Sequence, residues 1–265
     1  MPNLAIIHEG DVEPQAAYAP HHDVAGMRWC KLMTPPDYRL WLYLTELEDG
    51  AEIRWDSQHN DEAISVLEGW LDIQGRDCPV GGTVIIENHV AGTARAAGRT
   101  RIVHFGRRDD GPALKHGRHL HVGGPGGAWR IANNPLAHAD IWGDSSCGSC
   151  DVTFFRVHRD SADDEPDPHS HSADEVIVVV GGSMLLGNRE IPPITALSIP
   201  GNLRYVQTCG AGGLTFLNFR PGPSAITHYP RGKEPVSLPE GTRDIGDPVE
   251  PMVDVPGMVI FHRGS

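Results

Sequence analysis

The sequence comprises 265 residues with 35 acidic and 22 basic side chains, which gives a formal net charge of −13. This length suits two domains of about 100–150 residues, and the acidic balance argues against nucleic-acid binding, which depends on Lys and Arg neutralising phosphates. No apolar run approaches the roughly 20 residues needed to span a bilayer, and the N-terminus lacks the basic start and apolar stretch of a signal peptide. We therefore expect a cytoplasmic protein that binds neither nucleic acid nor membranes.

Short apolar or alternating segments follow one another along the whole chain, separated by turns. Glycine (31 residues) and proline (22 residues) punctuate the sequence throughout. Such segments are typical of the strands of an all-β sandwich or barrel. In chain order they cover residues 40–44, 63–67, 83–86, 101–105, 152–157, 176–180, 196–199 and 214–219, with lone strand-like segments at 4–8 and 258–262.

The two halves of the chain match at a constant offset of 113 residues. Glu62 and Gly69 fall on Glu175 and Gly182, and three strand-like segments superpose at the same offset: 40–44 on 153–157, 83–86 on 196–199, and 101–105 on 214–218. Repetition at a fixed period indicates an internal duplication. The sequence therefore predicts two copies of one barrel, over residues 1–107 and 150–265 (the latter with a C-terminal tail), joined by a Gly/His-rich connector over 108–149.

A candidate metal site lies in the second copy. His169 and His171 are separated by one residue, so that their side chains share one face of an extended strand, and Glu175 keeps the same parity. Two imidazoles and a carboxylate that converge inside a barrel suit a first-row divalent metal. We predict His169, His171 and Glu175 as the ligands.

These residues carry a family resemblance. The pattern His-x-His-x3-Glu-x6-Gly, met by His169, His171, Glu175 and Gly182, resembles the first cupin motif. The second cupin motif, which ends in Pro-x-Gly-x2-His, resembles segment 200–205 (PGNLRY), where Tyr205 stands at the final ligand position. The chain is thus similar to the bicupins. The resemblance implies an all-β protein of two tandem jelly-roll barrels and a metal-dependent enzyme for a small molecule, often an oxygenase, a decarboxylase or an isomerase.

Two histidines and one carboxylate leave coordination positions for water, substrate or dioxygen, an arrangement that suits non-haem Fe(II) chemistry. We therefore expect one divalent metal, with iron first and Mn, Ni, Zn or Cu as alternatives, and a dioxygenase acting on a small organic substrate. An isomerase, epimerase or lyase using the same site is one alternative, and a metal-binding or storage protein is another. A homodimer is a further expectation.

Tyr205 admits three interpretations: a phenolate ligand, an acid/base beside the metal, or a space-filling side chain. A phenol has a reference pKa of about 10, so ligation would need strong local assistance. We predict an acid/base role for Tyr205, as the catalytic residue.

In the first copy the corresponding positions hold Asp56, Gln58, Glu62 and Gly92, so both motif histidines and the last ligand are missing. We expect this barrel to be structural and free of metal. His59 lies beside the motif but has the wrong parity.

Cys147 and Cys150 form a C-x2-C pair just before the second barrel. They admit three readings: two structural thiols or a local disulfide, half of a zinc site completed by a connector histidine, or a redox pair. Three arginines, Arg156, Arg204 and Arg220, could meet an anionic substrate, but arginines around a barrel are most often in surface ion pairs, and the sequence favours that interpretation.

Overall fold

The computed structural model describes residues 4–108, 115–134, 137–144, 146–160, 168–187 and 189–229, together with three two-residue strands further along. Strands account for nearly all regular structure in these ranges, and the exception is a 3-10 turn at Glu9–Asp11. The strands are β1 Ala5–His8, β2 His22–Leu32, β3 Leu40–Trp55, β4 Glu62–Glu68, β5 Trp70–Ile73, β6 Arg76–Pro79, β7 Thr83–Ile86, β8 Gly92–Ala96, β9 Thr100–Arg107, β10 Leu120–Gly123, β11 Trp129–Asn134, β12 Ala137–Asp144, β13 Val152–Arg159, β14 His169–His171, β15 Glu175–Leu186, β16 Arg189–Ile191, β17 Thr195–Ile199, β18 Gln207–Pro221, β19 Ile226–His228, β20 Pro235–Val236, β21 Arg243–Asp244 and β22 Met252–Val253.

The strands form two large sheets that each curl toward a barrel, as the all-β prediction requires. The first sheet has the order β10-β7-β4-β9-β3-β8-β5-β6, with β2 on β3. The second has the order β11-β12-β13-β18-β15-β17-β1-β21, with β16 on β15. The long strand β3 has different partners along its length, because its first half pairs with β9 and its second half pairs with β8. Within the described ranges, no helix is long and apolar enough to cross a membrane.

The N-terminal strand and the connector strands extend the two sheets in ways that their positions in the sequence do not show. β1 precedes the first sheet in the sequence but pairs antiparallel with β17 of the second sheet. The connector is not a loop, because β10 extends the first sheet beside β7, while β11 and β12 extend the second beside β13. The strand-like segment at 258–262 lies outside the described residues.

The offset of 113 residues holds for some strands and is wrong for others. Glu62 pairs with Ile86 and Glu175 with Ile199, so β4/β7 and β15/β17 repeat at 113. Ala63 pairs with Phe105 whereas Val176 pairs with Phe219, so β9 superposes on β18 at an offset of 114. Since Leu42 pairs with Phe105 and Phe154 with Phe219, β3 superposes on β13 at an offset of 112. The register shift between Val66 and Glu68 recurs between Val179 and Gly181, so it is common to both barrels and does not cause these different offsets. A one-residue slip moves side chains to the opposite face, so the proposed superposition of 40–44 and 101–105 was wrong by one position.

The corrected register explains how the two barrels pack. Leu42 and Phe105 of the first and Phe154 and Phe219 of the second are all buried in one shared core. The Phe105 ring stacks on Phe219 with centroids 5.6 Å apart and meets Phe154 edge-on at 5.3 Å. Aromatic pairs of this geometry stabilise a core by about 0.5–1.5 kcal/mol each beyond the burial of their area. Tyr38 adds a polar link, since its hydroxyl donates to the carbonyl of Ile199 at 2.7 Å.

The motif glycines Gly69 and Gly182 serve the same turn in both barrels. Each has a positive φ, +77° and +62° respectively, which disfavours any other residue. A Cβ would come within 2.4 Å of the Arg99 carbonyl oxygen at Gly69 and 2.0 Å of the Gly213 oxygen at Gly182. The match of these glycines in the sequence therefore reflects a shared backbone requirement.

Candidate active site in the second barrel

Glu175 opens β15 and is completely buried. The Tyr205 hydroxyl donates to its Oε1 at 2.5 Å, and the Asn218 amide donates to its Oε2 at 2.7 Å. Burial and the neighbouring Glu175 raise the pKa of Tyr205 well above its usual value. The tyrosine is therefore a protonated hydrogen-bond donor to the carboxylate.

Arg220 brings a positive charge into the same cluster. Its Nη1 lies 3.2 Å from Glu175 Oε2, and 3.0 and 2.9 Å from the two ring nitrogens of His171. An atom equidistant from both ring nitrogens sits over the imidazole face rather than along either lone pair. The guanidinium also lies 5.0 Å from the centroid of the Phe155 ring. The interpretation of Arg220 as a surface residue is wrong, because only 4% of it is exposed.

The two motif histidines lie on β14, a short strand that pairs with β19. Both are buried, and their ring centroids are 5.2 Å apart. The His169 ring lies 4.5 Å from the Tyr205 ring, and the backbones of these two residues exchange hydrogen bonds of 2.9 Å. Burial, with Arg220 and His228 nearby, lowers the pKa of His171 to about 2, so its imidazole is neutral. The fold thus brings together all four residues predicted from the sequence.

A metal ion suits the donor types of this cluster but would compete with Arg220. His171 Nε2 and Glu175 Oε2 are 3.7 Å apart, a separation that two ligands of one ion can span. Arg220 Nη1 already lies within 3.2 Å of both atoms, so an ion shared by them would take the place of the guanidinium nitrogen. Accordingly, His169, His171 and Glu175 are not among the three groups of described residues whose donor atoms all lie within 4.8 Å of one another.

A cavity of about 680 Å³ adjoins the cluster. Its walls come from β11, β12, β13 and β18 and from the segment that leads into β19, and they are largely apolar, with Trp129, Ile131 and Phe155 among them. Arg220 and Ser172 also line it. The Nε of Arg220 is buried and has no hydrogen-bond partner among the described residues. A cationic group at the wall of an apolar cavity is the usual form of a site for a small organic anion.

In the first barrel the corresponding glutamate has different neighbours. Glu62 Oε2 lies 3.0 Å from His22 Nε2 on β2 and 3.0 Å from His104 Nε2 on β9. The other ring nitrogen of each imidazole also has a hydrogen-bond partner. His22 Nδ1 is 2.6 Å from the Pro20 carbonyl oxygen, and His104 Nδ1 is 2.8 Å from the Tyr18 hydroxyl. Gln58 and Asp56, at the positions of the missing motif histidines, are exposed. Glu62, His22 and His104 form a compact group of donor atoms. The expectation that this barrel is free of metal stays a prediction, and this donor group is the place to test it.

Aromatic rings fill the first barrel at the positions that carry the site in the second. Gly92 corresponds to Tyr205, and a Cβ there would meet the Trp55 ring at 2.7 Å. Gly106 corresponds to Arg220 in the corrected register, and a Cβ there would meet the Trp41 ring at 2.2 Å. The two tryptophans thus occupy space that functional side chains take in the second barrel.

Two further compact groups lie outside the barrel interiors. His138, Asp140 and His158 form one, but Arg130 Nε already binds Asp140 at 2.7 Å. The other consists of Glu87, His121, Cys147 and Cys150. His121 is thus the connector histidine that lies beside the C-x2-C pair, as the zinc interpretation of the pair requires.

Sequence reasoning missed Asn218, His22 and His104. Asn218 and His104 are isolated polar residues within apolar strands, and His22 begins β2 between two other polar residues, with no recognised motif around any of the three. The available signal was a polar residue facing the same interior as the glutamate on the neighbouring strand: His104 and Asn218 sit at equivalent positions beside Glu62 and Glu175.

No protein-family model matches the chain, and no curated protein matches it. Solved structures do. A serine-to-alanine mutant of Bacillus subtilis oxalate decarboxylase shares 13% identity over 84% of this chain and 78% of its own, with a TM-score of 0.61. Ylba from E. coli shares 13% identity over 83% of this chain and 90% of its own, at 0.62. A putative glyoxylate-induced protein from Pseudomonas aeruginosa shares 16% over 83% and 88%, at 0.59. These likenesses support the cupin resemblance and show that the chain has a cupin fold.

Proposed function

We propose that the second barrel is the active site of a metal-dependent enzyme that acts on a small organic anion. The observation that carries this proposal is Arg220, a buried cation with an unpartnered Nε at the wall of the 680 Å³ cavity, in contact with His171 and Glu175. A buried polar group without a partner is costly. A carboxylate bound in the cavity would pair with the guanidinium once Arg220 turns away from Glu175 toward the cavity that it lines.

His169, His171 and Glu175 are the residues that would hold the metal. Their chemistry supports this: two imidazoles, His171 neutral at any ordinary pH, and a carboxylate lie in a dry interior. A metal bound there would act as a Lewis acid toward a substrate oxygen. Since ion and guanidinium compete for one position, metal loading would release Arg220 from Glu175 and leave it available to the substrate.

Tyr205 is the residue we assign to proton transfer. Its hydroxyl donates to Glu175 at 2.5 Å, and burial keeps it protonated. These facts argue against the phenolate-ligand interpretation. A positioned donor of this kind favours a reaction that adds or moves a proton, such as decarboxylation or isomerisation. The structural neighbour from B. subtilis is a decarboxylase with Mn(II) centres, which agrees with decarboxylation and with Mn as the metal.

A dioxygenase is the second candidate. Two histidines and one carboxylate with open coordination positions suit Fe(II) and dioxygen, and the cluster offers that set. Oxygen uptake on substrate addition separates the two candidates. Uptake by the iron-loaded protein indicates a dioxygenase, whereas turnover of a Mn-loaded protein without uptake indicates a lyase or isomerase.

Anion binding tests the proposal directly. We would compare benzoate with its neutral analogue benzamide by calorimetry, because the cavity pairs apolar walls with one cation. Benzoate should bind more tightly than benzamide. Arg220→Ala should weaken benzoate binding about tenfold or more, since hydrogen bonds to charged groups contribute about 1.5–3 kcal/mol.

The matched control is Arg130→Ala. Arg130 lies between the cavity-lining Trp129 and Ile131 but pairs with Asp140, so its loss should leave benzoate affinity unchanged. Arg220→Lys, which keeps the charge, checks that any loss does not come from misfolding. Equal affinity for benzoate and benzamide, or an Arg220→Ala protein that binds benzoate normally, would contradict the proposal.

A further inference from the structure

The C-x2-C pair lies where the two barrels meet. Cys147 and Cys150 immediately precede β13 of the second sheet, while Glu87 follows β7 and His121 lies on β10, both in the first sheet. The donor atoms of these four residues all lie within 4.8 Å of one another. The chain thus brings two thiols, one imidazole and one carboxylate to a single point.

Glu87 is the centre of this group. Its side chain is fully buried, and its Oε1 faces His121 Nε2 at 2.5 Å and Cys147 Sγ at 3.3 Å. Its other oxygen accepts from the backbone N–H groups of Arg118 and His119 at 2.5 and 3.0 Å. The carboxylate is therefore fixed in orientation, with one oxygen aimed at the imidazole and the thiol.

Neighbouring groups hold the cysteine turn in place. Lys115 Nζ donates to the carbonyl oxygens of Cys147 and Cys150 at 2.7 and 2.9 Å. The backbone N–H of Ser149 points to Cys147 Sγ at 3.4 Å. Supporting hydrogen bonds to ligands and their backbone are typical of metal sites.

We propose that Glu87, His121, Cys147 and Cys150 bind one structural Zn²⁺ that ties the first barrel to the entry of the second. Thiolate, imidazole and carboxylate are the ligands that zinc accepts, and four protein ligands complete its tetrahedron. A complete tetrahedron leaves no position for substrate, which distinguishes this site from the cluster around Glu175. The proposal is independent of the function proposed for the second barrel.

Cobalt substitution tests this site apart from any barrel metal. Protein stripped of metal under reducing conditions and titrated with Co²⁺ should develop the intense visible and thiolate charge-transfer bands of a tetrahedral thiolate site at one equivalent. Zn²⁺ should then displace the cobalt and abolish the bands. The double variant Cys147→Ser/Cys150→Ser should lose these bands and the tightly held zinc of the purified protein.

Three comparisons keep the proposal falsifiable. Cys78→Ser, at a buried cysteine outside the group, should retain the cobalt bands and zinc, and so should His171→Ala in the second barrel. His121→Gln, which keeps both thiols, should weaken zinc binding even where the double variant fails to fold. A double variant with wild-type zinc content, no thiolate bands in the reduced wild type, or a purified protein with Cys147 and Cys150 joined as a disulfide would overturn the proposal.

Discussion

The two barrels place a glutamate at the same register position and surround it differently. Glu62 pairs with Ile86 and Glu175 with Ile199 at matching points of their sheets. Glu62 meets two imidazoles, and its burial, which alone would raise its pKa, is outweighed by His22 and His104, so that the pKa falls to about 2. Glu175 instead meets Tyr205, Asn218 and Arg220.

The space around the two glutamates also differs between the barrels. Trp41 and Trp55 pack against Gly106 and Gly92 in the first barrel, whereas Arg220 stands at the first of these positions in the second and borders a cavity. A duplicated barrel can thus keep its buried carboxylate while one copy becomes a packed core and the other keeps room for a ligand. Under the proposed function, the first barrel is structural and the second carries the chemistry.

The largest effect should come from Tyr205→Phe. This change keeps the ring and all three proposed metal ligands but removes the hydroxyl that donates a hydrogen bond to Glu175. We expect turnover to fall by about 10²–10⁴, the usual range for a positioned acid or base, with metal affinity nearly unchanged. Steady-state kinetics and metal titration on the same preparation measure both. Wild-type turnover would make Tyr205 a packing residue, and weakened metal binding would make it a ligand.

A second prediction concerns the packing of Trp41 against Gly106 in the first barrel. Gly106→Ala would place a Cβ against the Trp41 ring, and overpacking of this kind costs about 1–3 kcal/mol. Denaturant unfolding should show that loss. Gly126→Ala, at a glycine whose added Cβ meets nothing within 4 Å, serves as the control. Equal stability of the two variants would show that Trp41 does not fill the space that Gly106 leaves.

The smallest effect is a pH dependence of stability. Since the folded pKa of Glu62, about 2, lies below its ordinary value of 4.5, ionised Glu62 contributes stability that is present above pH 4.5 and lost as the pH falls toward 2. Burial also lowers the pKa of His104 to about 4, although the neighbouring Glu62 acts to raise it. The contribution of His104 to stability is therefore full above its ordinary pKa of 6.5 and is lost as the pH falls from 6.5 to 4. The raised pKa of His22 acts in the opposite sense: its contribution is full at low pH and is lost as the pH rises.

Glu62→Gln isolates the carboxylate. The stability difference between wild type and this variant should shrink as the pH is lowered from 4.5, as urea unfolding at several pH values would show. Glu48→Gln, at an exposed carboxylate, should show no such trend. A constant difference for Glu62→Gln across the range would mean that Glu62 is not held ionised by the imidazoles.

Local spacing predicted the parts of the site that lie on adjacent strands. His169, His171 and Glu175 are separated by a single turn, and Tyr205 follows the neighbouring strand, so the motif was enough to predict that these four side chains lie close together. Arg220 and Asn218 lie on β18, more than 40 residues beyond the glutamate, and reach it through sheet pairing. Which residues meet across such distances depends on strand register, and a one-residue change of register leaves no signature in the sequence.

The central claim is that Glu175, and not Glu62, belongs to a metal site. The most direct measurement is Mn²⁺ binding to metal-stripped wild type, Glu175→Gln and Glu62→Gln, followed by electron paramagnetic resonance, since Mn²⁺ prefers nitrogen and oxygen donors to thiolates. We predict that the wild type and Glu62→Gln bind one Mn²⁺ with similar affinity and that Glu175→Gln loses it. Retention of Mn²⁺ by Glu175→Gln together with its loss from Glu62→Gln would contradict this account and move the chemistry to the first barrel.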